Sequence, residues 1–157
     1  MGIEIERKFL VTSDVWRESV RRSDDFRQGY IVTGESEKGS VRVRVSGDSA
    51  WLNMKSATRG AQRLEFEYPL PLEDAMQILD TLCQSPIIEK TRHYIDFSGH
   101  TWEVDVFEGE NQGLTVAEVE LDSVDERLVL PEWVGNEVTD DVRYYNACLV
   151  KNPFSTW

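Results

Sequence analysis

Short segments in which polar and apolar residues alternate dominate the chain. In the first of them, Ile3 and Phe9 fall on one side at the strand period of two, whereas Glu4, Glu6 and Lys8 fall on the other. The same alternation recurs along the chain and predicts eight strands in all. We expect them at residues 2–11, 26–34, 39–47, 50–57, 62–70, 87–98, 101–109 and 114–122.

Helices and turns fill the space between these strands. Apolar residues recur at helical spacing over 72–84, and Thr139-Asp140-Asp141 is typical of the start of a helix. Gly47-Asp48 and Ser98-Gly99 are typical of hairpin turns. The predicted helices run from a cap at residue 12 or 13 to residue 22, over 72–84, over 124–129 and from 139 to about 150.

The polar side of most strands carries two charges of the same sign, two residues apart. Same-side neighbours lie about 6.5–7 Å apart along a strand, and like charges at that distance repel by about 2–3 kcal/mol at an effective dielectric of about 20. Water and salt would screen this repulsion on an open surface, but an enclosed space needs counter-ions. The pairs are Arg42 with Arg44, Glu65 with Glu67, Lys90 with Arg92, Glu103 with Asp105, and Glu118 with Glu120.

The economical interpretation is that these charged sides face bound ions inside a closed sheet. If they all point inward, the strands form a barrel with a polar lumen, and their apolar sides face outward, where helices must cover them. The alternative is a β-sandwich with its charged strands outside. We therefore expect an α+β fold in a single domain over 1–157, an eight-stranded antiparallel β-barrel with a charged lumen and a few flanking helices.

Composition narrows the classes of function. The 157 residues carry a formal net charge of -12 at pH 7, which argues against a nucleic-acid binder. The sequence has no membrane-spanning run and does not begin like a signal peptide. Cys83 and Cys148 form no CxxC pair, so we expect reduced thiols in a cytoplasmic protein. Having only His93 and His100 disfavours a histidine-ligated zinc site or a Ser-His-Asp triad.

The types of charged side chain indicate which ions would bind. The candidate metal ligands are all carboxylates, with no His or Cys among them. Such hard oxygen ligands suit Mg²⁺ or Mn²⁺. Lysines and arginines around a lumen suit phosphate groups, because arginine gives forked hydrogen bonds and lysine a compact charge. Carboxylates, a divalent metal and several cations together are the components of phosphoryl transfer from a polyphosphate.

An ordered set of motifs resembles the triphosphate tunnel metalloenzymes, the CYTH superfamily. The set opens with E-x-E-x-K at Glu4, Glu6 and Lys8 and continues through the charged pairs above and Lys55. The tail EVTDDVRYYN is similar to the end of short bacterial members. The resemblance covers nearly the whole chain and implies an eight-stranded tunnel that binds a triphosphate and a divalent metal, Mg²⁺ or Mn²⁺, in its lumen.

The resemblance also implies roles for individual residues. The acids expected to bind metal are Glu4, Glu6, Glu65, Glu67, Glu103, Asp105, Glu118 and Glu120. The cations expected to bind phosphate are Lys8, Arg42, Arg44, Lys55, Arg63, Lys90 and Arg92, of which Arg63 is assigned to the lumen or its rim. The residues expected to take part in catalysis are Glu4, Glu6, Lys8, Lys55 and Tyr30, although Tyr30 fits a packing role in the wall equally well.

Three functions stay open at this point. The favoured one is hydrolysis of tripolyphosphate or a similar small triphosphate, since the chain is compact and shows no insert for recognising a base. The second is a nucleotidyl cyclase of the class IV adenylyl cyclase type, which would convert ATP to cyclic AMP and diphosphate, with a thiamine triphosphatase as a further alternative. The third is a non-catalytic triphosphate-binding module, which would not need so many carboxylates. We expect a small triphosphate as the partner, with no nucleic acid or membrane, and leave a homodimer open.

Overall fold

A computed structural model describes residues 2–33, 38–57 and 60–157 of the chain. Within these ranges it contains nine strands and two α-helices. In chain order they are β1 (Gly2–Val11), β2 (Arg22–Val32), β3 (Gly39–Ser46), β4 (Ser49–Ser56), β5 (Gln62–Leu70), α1 (Leu72–Thr81), β6 (Ile88–Phe97), β7 (His100–Phe107), β8 (Thr115–Glu120), β9 (Val134–Glu137) and α2 (Asn146–Lys151). The last residue of the predicted strand 26–34 lies outside the described residues.

Eight of the strands close into an antiparallel barrel. Around the ring the order is β1-β5-β4-β3-β2-β6-β7-β8, and β8 pairs again with β1. The closing strand β1 places Glu4 opposite Arg63 of β5 and Glu6 opposite Glu120 of β8. The predicted barrel is therefore confirmed. The ninth strand, β9, lies outside the ring against the end of β1.

The apolar sides of the strands face outward, as predicted, and are covered by the segments between them. Over β1, β7 and β8, the buried side chains of Trp16, Trp102 and Trp133 form one large cluster with Phe9. Burying each large apolar side chain contributes about 1.5–3 kcal/mol. The hydrophobic core of this protein thus surrounds the barrel and does not fill it.

The two helices cover separate parts of the outer wall. On α1, Ala75 and Leu79 pack against Val43 and neighbouring residues of β3 and β4. On α2, Leu149 and Val150 are buried in a second cluster, formed with residues of β6, β7 and β8. Each helix is short, so packing against the barrel, and not helix propensity alone, stabilises it.

The helix predicted at residues 124–129 is wrong. This segment is an irregular loop in which the Glu126 carboxylate accepts a hydrogen bond from the backbone N–H of Asp122 and contacts His100. Such local side-chain bonds give the backbone an alternative to a helical ladder. The loop leads to β9, which the sequence did not predict because VGNE shows no alternation.

The predictions of the first and the last helix hold only in part. The helix expected from residue 12 or 13 to residue 22 is a single 3-10 turn, Val15–Ser19, because β2 already begins at Arg22. The last helix is divided into a 3-10 turn, Val142–Tyr144, and α2, because the backbone of Tyr145 between them is extended. No helix among the described residues is long and apolar enough to span a bilayer.

Substitution of Leu79 by alanine tests how α1 is held on the barrel. Leu79 is 3% exposed, and we expect Leu79→Ala to lower the free energy of unfolding by about 2–5 kcal/mol, measured by urea denaturation. Met76 lies on the same helix and is 36% exposed, so Met76→Ala is the matched control and should cost about 1 kcal/mol or less. Equal losses for the two variants would contradict this account of the packing.

Candidate active site in the barrel lumen

The lumen contains a cavity of about 690 Å³, and most of the residues that line it are charged or polar. All of the predicted site residues except Asp105 line it, because the strand period of two directs them to the inside. These residues are Glu4, Glu6, Lys8, Tyr30, Arg42, Arg44, Lys55, Arg63, Glu65, Glu67, Lys90, Arg92, Glu103, Glu118 and Glu120.

Two cations of β3 contact no acidic side chain in the part of the chain that the structure describes. Arg42 is 7% exposed, and its Nε has no hydrogen-bond partner among the described residues. Arg44 donates its Nε–H to a neutral acceptor, Gln28 Oε1, at 2.8 Å. Burial, and then the neighbouring Arg42 and Arg92 charges, lower the pKa of Arg44 to about 9. This part of the lumen therefore has an excess of buried positive charge, which favours an anion.

Lys90 and Arg92 of β6 extend the same basic region. Burial outweighs the opposing effect of Asp105, is reinforced by Arg92 and Arg44, and lowers the pKa of Lys90 to about 7. Arg92 forms ion pairs with Asp105 and with Glu103, the latter at 2.8 Å. Arg92 also lies 3.5 Å from Glu118, so among the described residues the four cations of β3 and β6 contact three carboxylates.

Carboxylates gather on the opposite side, along β1 and β8. Burial, followed by the charges of Glu118 and Glu4, raises the pKa of Glu6 to about 7. Burial, followed by Glu4 and two other lumen acids, also raises the pKa of Glu120. Burial is the larger cause of both shifts and like charge the second, so an ionised Glu6 or Glu120 lacks counter-charge at its own position, which favours a cation.

Ion pairs between the strands offset part of this unbalanced charge. Lys8 Nζ lies 2.5 Å from Glu118 Oε1, and Lys55 Nζ lies 3.0 Å from Glu4 Oε1. Burial alone would raise the pKa of Glu118, but the Lys8 and Arg92 charges outweigh burial and hold that pKa well below its usual value. Arg63 Nε also lies 3.1 Å from Glu4, which places Arg63 in the lumen.

Asp105 occupies a different position from the other predicted acids. It is fully buried and does not line the cavity. Its Oδ1 accepts a hydrogen bond from Arg92 Nε at 2.7 Å, and its Oδ2 accepts one from Arg92 Nη2 at 2.8 Å and one from Lys90 Nζ at 2.6 Å. This arrangement fits a residue that orients two cations better than the metal ligand that the sequence predicted.

The remaining lumen acids suit a metal ion by chemistry more than by their present positions. Their ligand atoms are all carboxylate oxygens, and the acids on β1 and β8 have an excess of negative charge, as hard divalent cations require. Among the described ranges, however, no three Asp, Glu, His or Cys side chains converge on one point. A metal would therefore replace lysine or arginine partners of these carboxylates.

Tyr30 packs in the wall, as one of the two interpretations of the sequence expected, and its catalytic role stays a prediction. Its side chain is 3% exposed and belongs to the apolar cluster with Ile88 and Leu149. It also borders the cavity, and its position on β2 is opposite Arg42 of β3. Tyr30 is therefore a wall residue that lies close enough to the basic region to influence it.

Several neutral residues of the lumen were not among the site residues predicted from the sequence. Gln28 and Asn53 are fully buried on inward positions two residues before Tyr30 and Lys55, so the strand period could have identified them. Asn146 comes from the start of α2 and accepts hydrogen bonds from both Gln28 and Lys90. No strand pattern could have placed Asn146, because its position depends on how α2 packs.

Comparisons with known proteins agree with this geometry. The chain is 46% identical over all of its 157 residues to the inorganic triphosphatase of Acetivibrio thermocellus, of which it covers 99%. It is also 34% identical over 149 residues to the inorganic triphosphatase of Nitrosomonas europaea. That match covers 93% of this chain and 95% of the relative.

A solved structure extends the likeness to the fold. The crystal structure of an inorganic triphosphatase has a TM-score of 0.68 to this chain at 32% identity, and the match covers 96% of this chain and 95% of that one. The model of the CYTH domain family matches residues 2–146. The barrel and the lumen charges of this chain agree with these matches. The chain belongs to the CYTH domain family.

Proposed function

We propose that this chain is an inorganic triphosphatase, which hydrolyses a terminal phosphate from tripolyphosphate bound in the lumen with a divalent metal. The observation that carries the proposal is the separation of charge within one cavity. Two arginines that contact no carboxylate of the described residues lie on β3, whereas carboxylates of raised pKa lie on β1 and β8. A metal–polyphosphate complex carries the complementary charges, and the names of both curated relatives support the same activity.

The basic residues bind and neutralise the phosphates. Arg42 and Arg44 lack carboxylate partners among the described residues, so they can bind phosphate oxygens without first breaking an ion pair. Lys90 and Arg92 extend this site. Arginine binds phosphate in a forked geometry, and buried cations stabilise the charge that develops on the leaving group.

The metal is Mg²⁺ or Mn²⁺, because the available ligands are carboxylate oxygens alone. Glu4, Glu6, Glu118 and Glu120 would hold it, while Glu65, Glu67 and Glu103 remain to hold a second ion or to orient water. When bound, such an ion supplies Lewis-acid activation of a phosphoryl oxygen.

Other residues act on protons and on orientation. The ammonium groups of Lys8 and Lys55 contact Glu118 and Glu4, and they can turn toward the phosphates as the acids take up metal. Asp105 is a positioning residue that orients Arg92 and Lys90.

Cys83 and Cys148 form no disulfide, which supports a reducing, cytoplasmic compartment.

The most direct test measures phosphate release from tripolyphosphate, ATP and thiamine triphosphate with Mg²⁺ or Mn²⁺. We expect tripolyphosphate to give the highest kcat/KM and a chelator to abolish turnover, because the acids need a cation to bring the substrate close. Cyclic AMP as the main product from ATP would show a cyclase instead. Turnover that a chelator leaves unchanged would contradict the proposed role of the carboxylates.

Substitution of Arg42 by alanine tests the phosphate site. We expect Arg42→Ala to raise the KM for tripolyphosphate by about ten- to a hundredfold, because it removes a charge-assisted hydrogen bond to a buried anion. Arg27 is the matched control, since its exposed side chain pairs with Glu89 on the outer wall, and Arg27→Ala should leave KM unchanged. A wild-type KM for Arg42→Ala would show that this arginine does not contact the substrate.

Glutamate 6 tests the acidic side and has a distinct pH signature. Its pKa of about 7 in the fold exceeds the ordinary 4.5, so its ionisation costs stability as pH rises from about 4.5 to 7. Glu6→Gln should therefore gain in free energy of unfolding over the wild type across that window, measured on metal-free protein by urea denaturation.

The same variant should lose metal-dependent turnover by at least about tenfold, because one carboxylate ligand is gone. Glu89→Gln on the outer wall is the matched control and should change neither the turnover nor the pH dependence of stability. Unchanged turnover for Glu6→Gln would remove Glu6 from the metal site. A free energy of unfolding below that of the wild type above pH 7 would contradict the raised pKa of Glu6.

A further inference from the structure

Two neutral amides connect the C-terminal helix α2 to cations of the lumen. Asn146 Oδ1 accepts a hydrogen bond from Lys90 Nζ at 2.8 Å and another from Gln28 Nε2 at 2.9 Å. Gln28 Oε1 in turn accepts one from Arg44 Nε at 2.8 Å. A continuous chain of hydrogen bonds therefore runs from Arg44 through both amides to Lys90, and from there to Asp105.

These hydrogen bonds are partly shielded from solvent. Gln28 is completely buried, and Lys90 is 2% exposed. Asn146 is the first residue of α2, and the fully buried Leu149 of the same helix anchors it in the outer cluster. The packing of α2 outside the barrel thus sets the position of an acceptor at the wall of the cavity.

The amides hold the cations without neutralising them. Arg44 has no carboxylate partner among the described residues and donates to Gln28 instead. Lys90 shares its one carboxylate contact, Asp105, with Arg92. Had a carboxylate stood in place of either amide, it would have kept the hydrogen bond to the cation and cancelled its charge. A neutral acceptor fixes the direction of the side chain and leaves the charge for an incoming anion.

We propose that Asn146 and Gln28 are positioning residues, which orient Lys90 and Arg44 for the substrate without adding a negative charge beside either of them. This inference rests on the proposed function and makes α2 a part of the substrate site. Neither amide takes part in the chemical step. Their neutrality is the property that matters, since it orders Arg44 without a carboxylate contact among the described residues and adds no second carboxylate to Lys90, which Asp105 already contacts.

Asn146→Asp separates neutrality from hydrogen bonding. The variant keeps an acceptor for Lys90 and Gln28 and adds one negative charge. Isothermal titration calorimetry with tripolyphosphate and with diphosphate, each in EDTA, measures anion binding without metal. We expect both dissociation constants to rise by at least about tenfold. In steady-state hydrolysis, KM for tripolyphosphate should rise by a similar factor, with a smaller change in kcat.

The matched control is Asn111→Asp. Asn111 is also buried, and its Oδ1 accepts a hydrogen bond from the backbone N–H of Phe154, so it too ties the C-terminal segment to the barrel. It does not line the lumen cavity. The variant should therefore leave anion binding unchanged. Gln28→Glu is a second test: it keeps the acceptor for Arg44, adds a charge and removes the Nε2–H donor to Asn146, and it should weaken anion binding at least as much as Asn146→Asp does.

The outcomes separate this inference from the proposed function. If Asn146→Asp and Gln28→Glu bind both anions as tightly as the wild type, neutrality does not matter and the inference is overturned. If the wild type binds diphosphate but does not hydrolyse tripolyphosphate, the proposed function fails, while diphosphate binding by the variants still decides the inference. Equal weakening in Asn111→Asp would show a general effect of charge or of C-terminal packing and would also overturn it.

Discussion

The structure depends on one electrostatic constraint, that like charges on the inner side of a closed sheet have little water to screen them. Cross-strand ion pairs such as Lys8–Glu118 and Lys55–Glu4 offset part of the repulsion. They do not remove it, because the pKa of Glu6 is raised while that of Arg44 is lowered. Together with burial, the shortage of positive charge beside Glu6 and of negative charge beside Arg44 causes these shifts.

This constraint explains why the hydrophobic core lies outside the barrel. Since the lumen is reserved for charge, apolar burial has to come from segments packed on the outer wall, and three separate clusters provide it. Trp16 and Trp133 lie outside the eight barrel strands, yet they complete the cluster over Phe9 and Trp102. The connecting segments thus supply stability that a conventional barrel interior would otherwise provide.

The barrel and most of its lumen were predictable because strand alternation is a local property of the sequence. Lys8, Arg42 and Glu118 follow from the period of two alone. Asp105 shows the limit of that rule, since it shares the inward parity but is covered by Lys90 and Arg92. Asn146 and the loop at 124–129 could not be placed, because helix packing and local side-chain bonds determine them and neither has a period.

The opposite pKa shifts also indicate what kind of ligand the lumen favours. A bare polyanion would satisfy Arg42 and Arg44 but would be repelled by Glu6 and Glu120, and a bare divalent cation would meet the converse difficulty. A polyphosphate that carries a metal presents both signs in one ligand, so each part offsets the charge that would oppose the other. The coupling follows from enclosing both sets of charges in one cavity of about 690 Å³, where neither is screened as it would be in water.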